Sequence, residues 1–145
     1  MFKNILLPID GSATSRDILG KCVRFARDSG ARLTALYVIP QFHVLAYQPE
    51  MLADTPELYR ADSEKQARAL LAEVEAEAKA QEVTCEALFM WGDSPYEAII
   101  ALARDKGCDL ITMASHGRRG VKGLLLGSET QKVLTHSTVP VLVFR

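Results

Sequence analysis

The sequence predicts an open α/β fold: five parallel strands in one doubly wound sheet, with helices on both faces. Three observations predict it. Five short runs are almost wholly apolar, helical stretches separate them, and no hairpin signal interrupts the alternation. Parallel strands need crossover connections, and these are right-handed as a rule, so the alternation wraps helices over both faces. Strands covered on both sides read as continuous apolar runs, which is the pattern here.

Taken in order, Lys3 to Ile9 (KNILLPI) is the first strand, and Asp10-Gly11-Ser12 turns the chain after it. Ala13 to Asp28 places Ile18, Leu19, Cys22, Val23 and Ala26 on one helical stripe, which Ser29-Gly30 stops. Arg32 to Ile39 is the second strand, ended by Pro40. Gln41 to about Pro56 has no clear period and reads as a long loop. Glu57 to Gln81 is a long amphipathic helix with Ala67, Leu70, Leu71, Val74 and Ala78 on its inner face. Thr84 to Trp91 is the third strand. Ser94-Pro95-Tyr96-Glu97 then has the form of a capping box with proline at the first helical position, opening a helix that runs to Gly107. Asp109 to Ala114 and Val139 to Phe144 are the fourth and fifth strands, and a second box at Ser128 and Gln131 starts the helix between them. Pro140 cannot donate to a ladder, so the fifth strand is expected at a sheet edge.

Composition narrows the function. The 145 residues suit one domain spanning 1–145, and 48% apolar against 24% charged residues is an ordinary globular balance. Seventeen Lys+Arg against eighteen Asp+Glu leave a net charge of −1, which argues against a nucleic-acid partner. The longest charge-free stretch, Leu33 to Pro49, is interrupted by Pro40, Gln41, His43 and Gln48, so no membrane insertion is expected. The apolar N-terminal run meets Asp10 too soon for a signal peptide. Cys22, Cys85 and Cys108 have no metal or redox spacing and read as free thiols of a reducing, cytoplasmic compartment. His43, His116 and His136 share no ligand spacing, so no metal site is predicted.

Chemistry concentrates after the fourth strand, from Ala114 to Ser128 (ASHGRRGVKGLLLGS), where four glycines fall within eleven residues. Glycines let backbone N–H groups approach a ligand, and a helix start adds free amides and the positive end of a dipole. Glycine content alone leaves two readings open: an anion cradle, or loop punctuation with Ser128 as a simple cap. Arg118 and Arg119 read equally as phosphate contacts or as a solvated loop. In open α/β sheets ligands bind beyond the carboxyl ends of the strands at the switch point, which favours the cradle. The turn at Asp10 and the turn at Ala114 are expected to flank that crevice. Neither GxxxxGK[ST] nor a GxGxxG after the first strand is present.

The chain here resembles the universal stress protein family, in particular its ATP-binding subgroup with the signature G-x2-G-x9-G-[ST]. Gly117, nine following residues and Gly127-Ser128 match it, while Ala114 stands where the first glycine belongs. NILLPIDGS, MASHGRRG and TVPVLVFR extend the similarity along the whole chain outside Gln41 to Pro56. The resemblance implies a Rossmann-like fold of the adenine nucleotide alpha hydrolase type and a cytoplasmic, ATP-binding stress-response module, with ATP bound with or without Mg²⁺. It implies that Asp10 bonds the base or ribose, that Pro8 and Ile9 line the pocket, and that Val38 meets adenine through its backbone. Met113 then packs near the nucleoside. Ala114, Ser115, His116, Gly117, Arg118, Arg119 and Gly120 wrap the phosphates, with Gly127, Ser128, Glu129 and Thr130 at the helix start. It further implies a homodimer through Val139 to Phe144, and an apolar edge strand independently favours a partner there. A partner protein of unstated identity would receive the signal.

Ala114 reads as the last strand residue, so a negative φ is expected, at which the extra methyl only narrows the approach of a ligand. Asp10 alone would read as a turn residue, and His116 as a loop position. Two other classes compete with a binding module. A slow ATPase or a nucleotidyl- or phosphoryl-transfer enzyme needs a base and metal-binding carboxylates, for which only Asp10 and Glu129 are candidates. A nucleotide-free dimeric scaffold is disfavoured by Gly117, Gly127 and Ser128. No catalytic residue is assigned.

Overall fold

The computed structural model describes residues 1–42, 55–115 and 126–145. The described strands are β1 (Asn4–Ile9), β2 (Arg32–Ile39), β3 (Cys85–Trp91), β4 (Leu110–Ala114) and β5 (Val141–Phe144). They form one sheet in the order β3-β2-β1-β4-β5, and every pairing is parallel. The helices α1 (Ala13–Ser29), α2 (Pro56–Ala80), α3 (Pro95–Asp105) and α4 (Ser128–His136) connect them. The α/β fold is the one the alternation predicts, and β5 is an edge strand. Pro140 stands just before β5 rather than within it, and its carbonyl accepts from Ile111 N at 2.9 Å.

Two apolar layers hold the sheet between the helices. Ile5, Leu7 and Ile9 point to the side covered by α1 and α2, where they join Ile18, Val23, Leu33, Leu70 and Val74. Leu6 points to the other side and joins Leu36, Ile99, Leu102, Ile111 and Val133 beneath α3 and α4. This strict alternation in a run without polar residues is what a strand covered on both faces requires. The α2 stripe is as the periodicity predicts: Ala67, Leu70, Leu71, Val74 and Ala78 are all buried.

Local chemistry sets the helix ends of the first crossover. Gly11 has φ +79°, a conformation that favours glycine, and it turns the chain so that Ser12 caps α1 by accepting from Ser15 N at 3.1 Å. Gly30, at φ +67°, ends the helix.

The amino ends of the central strands are tied together. Asp109 accepts from the amides of Lys3 and Asn4 at 2.9 and 3.1 Å. The buried Asn4 side chain donates to Lys106 O at 3.1 Å and accepts from Thr34 Oγ1 at 2.9 Å. Lys106 and Arg32 both reach the Glu86 carboxylate, at 2.6 and 3.6 Å.

Candidate functional site

At the carboxyl end, β1 and β4 part. Their register covers Ile5↔Leu110 and Leu6↔Ile111 and goes no further. On the outer sides pairing continues, to Ile9↔Tyr37 with β2 and to Ala114↔Phe144 with β5. The cause is Pro8. Asn4 and Leu6 present their carbonyls toward β4, accepting from Asp109 N at 3.0 Å and from Thr112 Oγ1 at 3.1 Å. Two residues on, Pro8 falls on the same side by the alternation of the strand, and it has no N–H to continue the ladder. The β1–β4 ladder therefore ends at the point where the strand order reverses, with Pro8 and Ile9 beyond it on β1 and Met113 and Ala114 beyond it on β4. The resemblance assigns Pro8 only to the lining of the pocket. A proline inside a run that otherwise reads as a central strand was the signal for more.

β1 leads into Asp10, whose Oδ1 accepts from Ser12 N at 2.9 Å. The turn function of Asp10 is thus present in the geometry. Val38 sits near the end of β2, half-buried, in register with Met90. On β4, Met113 is buried on the α3 and α4 side. Ala114 ends its strand, and among the described residues only Glu82 has a positive φ outside glycine. The alanine in the motif's first position is therefore unstrained, as its place at the strand end predicts.

One backbone hydrogen bond links the end of β4 to the start of α4. Gly127 N donates to Ser115 O at 2.7 Å, while Ser115 N donates to Phe144 O at 2.8 Å. The first turn of α4 is thereby held directly beyond β4. His116, Gly117, Arg118, Arg119 and Gly120, all sequence-predicted phosphate contacts, lie outside the described residues.

The α4 start differs from the predicted capping box. Gly127 is the N-cap, at φ −60° and ψ 151°, and Ser128 is the first helical residue. Gln131 Nε2 donates to Leu126 O at 2.9 Å instead of closing a box. With glycine as the cap, the N-cap residue makes no side-chain bond to the first-turn amides. The Ser128 side chain, not used as a cap, lies at the exposed start of this turn.

The Glu129 and Thr130 side chains both have partners within the protein. The Thr130 hydroxyl, on a residue only 3% exposed, donates to Ala114 O at 2.9 Å. It ties α4 to the end of β4 and points into the protein. Glu129 turns to α3: Oε2 accepts from Tyr96 N at 2.9 Å, and Oε1 pairs with Lys132 at 3.2 Å. The box expected at Ser94 and Glu97 also fails, because Ser94 makes no side-chain cap bond and Glu97 accepts from the Tyr96 hydroxyl at 3.1 Å. That bond, with the charge of Glu97, pushes the Tyr96 phenol above its ordinary range.

Burial pushes the Cys22 thiol up to about 11, and burial with the nearby Glu75 does the same for Cys85. Cys108 is raised by burial as well. The cysteines are free thiols held in their neutral form, unlike the activated thiolates of nucleophilic sites. Among the described residues, no three His, Cys, Asp or Glu side chains gather to hold a metal. None of the described helices is long and apolar enough to cross a membrane.

Comparison with known proteins gives this geometry a context. The family model described as "Universal stress protein family" matches residues 1–145. The chain is 32% identical over 152 residues to universal stress protein YxiE of Bacillus subtilis, covering all of both chains. Among solved structures, it is similar to the hypothetical protein MJ0577 at 28% identity and a TM-score of 0.82, over 99% of this chain and 95% of that one. A universal stress protein solved in complex with cAMP shares the fold at 24% identity and a TM-score of 0.70, over 99% of this chain and 97% of that one.

Proposed function

The chain belongs to the universal stress protein family, and on that premise we propose that it binds an adenine nucleotide, ATP with or without Mg²⁺, as a regulatory module. The carrying observation is that the β1–β4 ladder stops before Pro8-Ile9 and Met113-Ala114, where the strand order reverses, and that the helix start beyond β4 has a glycine N-cap with no side-chain cap bond. First-turn amides that the N-cap side chain does not satisfy and the positive end of the helix dipole, roughly half an elementary charge, favour a phosphate at that point. Pro8, Ile9, Asp10 and Val38 hold the nucleoside on the β1 side, and Met113 packs against it from β4. Ala114, Ser115 and the glycine-rich segment through Gly120 take the phosphates together with Gly127 and Ser128. Glu129 and Thr130 contribute main-chain amides, since their side chains are engaged elsewhere.

Binding is favoured over turnover by the fate of the two carboxylates. Asp10 Oδ1 accepts the Ser12 amide, and Glu129 is shared between Tyr96 and Lys132. Neither is poised as a base or a metal ligand. The module is cytoplasmic in this reading, and the edge strand β5 with Val139 and Pro140 before it pairs with a second copy.

Calorimetry with ATP and Mg²⁺ tests the proposal, alongside adenine absorbance in protein purified without added nucleotide. Gly127→Ala is a clean probe, because the backbone at Gly127 suits any residue. It and Ser128→Ala should both weaken binding while leaving the melting temperature near that of the parent. Absence of heat at high micromolar protein, or unchanged binding in both variants, would overturn the site assignment.

A further inference from the structure

We propose that Glu129 is a positioning residue: a strut that sets the first turn of α4 against the start of α3, so that filling the nucleotide site is felt at Tyr96. This rests on the nucleotide reading above. Its observations are independent of that reading.

The start of α3 lacks a cap of its own. Ser94 occupies the N-cap at φ −122° and ψ 86° and makes no side-chain bond, and Pro95 has no N–H. The Tyr96 amide instead finds its acceptor 33 residues away, in Glu129 Oε2 at 2.9 Å. The other oxygen, Oε1, pairs with Lys132 at 3.2 Å. The Lys132 ammonium lies 5.6 Å from the centre of the Tyr96 ring, and the His136 ring lies 5.3 Å from it. Two helices are thus joined through one carboxylate, one amide and one aromatic ring.

The position of that carboxylate gives the join its meaning. Glu129 is in the first turn of α4, where its charge would compete with a phosphate for the same dipole. A carboxylate that served only the α4 dipole would need no partner on another helix. Here the Tyr96 amide and Lys132 draw it aside, and the turn stays available to an anionic ligand. The same turn is anchored on its inner side by Thr130 to Ala114 O and by Gly127 to Ser115 O. Glu129 supplies the outer anchor, so a shift of the turn on ligand binding is carried to α3.

The test compares wild type, Glu129→Gln and Glu129→Ala. ATP affinity is measured by calorimetry, and amide hydrogen exchange at Tyr96 is measured with and without ATP and Mg²⁺. Glutamine keeps an oxygen for the Tyr96 amide, whereas alanine keeps none. Glu129→Gln should bind within about twofold of wild type, and Glu129→Ala about tenfold more weakly, the scale of one hydrogen bond to a charged group. In wild type and Glu129→Gln, ATP should slow exchange at Tyr96, and in Glu129→Ala it should not. Should both variants bind more tightly than wild type, Glu129 is merely a repelling charge and the proposal falls. Equal ATP protection of Tyr96 in all three proteins also overturns it. If wild type binds no ATP, the nucleotide reading fails. The join itself is then judged on the ligand-free proteins, where Tyr96 exchange must quicken in Glu129→Ala and stay near wild type in Glu129→Gln.

Discussion

Replacing Thr130 with valine separates two roles for one hydroxyl. Valine has nearly the shape of threonine, so the buried site beside Val133 stays filled while the bond to Ala114 O at 2.9 Å is lost. The carbonyl then faces a methyl group in a place that is 3% exposed at Thr130. Losing one partner of a buried hydrogen bond costs about 1–3 kcal/mol. For a chain near 150 residues, that lowers the melting temperature by about 3–10 °C. Scanning calorimetry measures it, with Thr130→Ser as the control that keeps the hydroxyl and loses only a methyl, at about 1 kcal/mol. If Thr130→Val melts within a degree of wild type yet loses ATP binding, the hydroxyl serves a ligand. The assignment to Ala114 is then refuted.

Other perturbations test neighbouring claims. Pro8→Val restores an N–H on the β4 side of β1. It should let the β1–β4 ladder extend and weaken ATP binding while stability stays within about 1 kcal/mol of wild type, since the gained bond offsets the lost rigidity of proline; unchanged affinity would count against a nucleotide site where Pro8 ends the ladder. Cys22 gives a pH signature. Its folded pKa of about 11 lies above the ordinary 9.0, so its contribution is complete below pH 9 and lost as pH rises through 11. The loss approaches about 2–3 kcal/mol, and urea midpoints at pH 8 and 10.5 should show Cys22→Ala losing less than wild type. Asn4→Leu strands the Thr34 hydroxyl and the Lys106 carbonyl and should cost about 2–4 kcal/mol by chemical denaturation.

Local pattern carried most of the fold. Unbroken apolar runs such as Ile5–Leu7 and the α2 stripe from Ala67 to Ala78 are buried as their periods predict, because burial on two faces or on one leaves a direct mark on residue choice. Pro140 correctly pointed to an edge, through a donor it lacks. The candidate site was less legible. Both capping boxes were read from spacing alone, yet the acceptor for Tyr96 comes from Glu129 in another helix, a contact that only the packing of α3 on α4 creates. For the same reason the bond from Thr130 to Ala114 O appears only once α4 is packed beside β4. Pro8 carried a readable signal, since a central strand seldom tolerates proline, and its meaning needed the neighbour on the β4 side.

The bond between Gly127 N and Ser115 O is made by main-chain atoms at both ends. No change of side chain at either residue removes its donor or acceptor, except proline at 127, which has no N–H. The Thr130 bond to Ala114 O beside it depends on a single hydroxyl. The seat of α4 on the sheet thus joins one contact written in the backbone, insulated from sequence drift, with one that a single substitution erases.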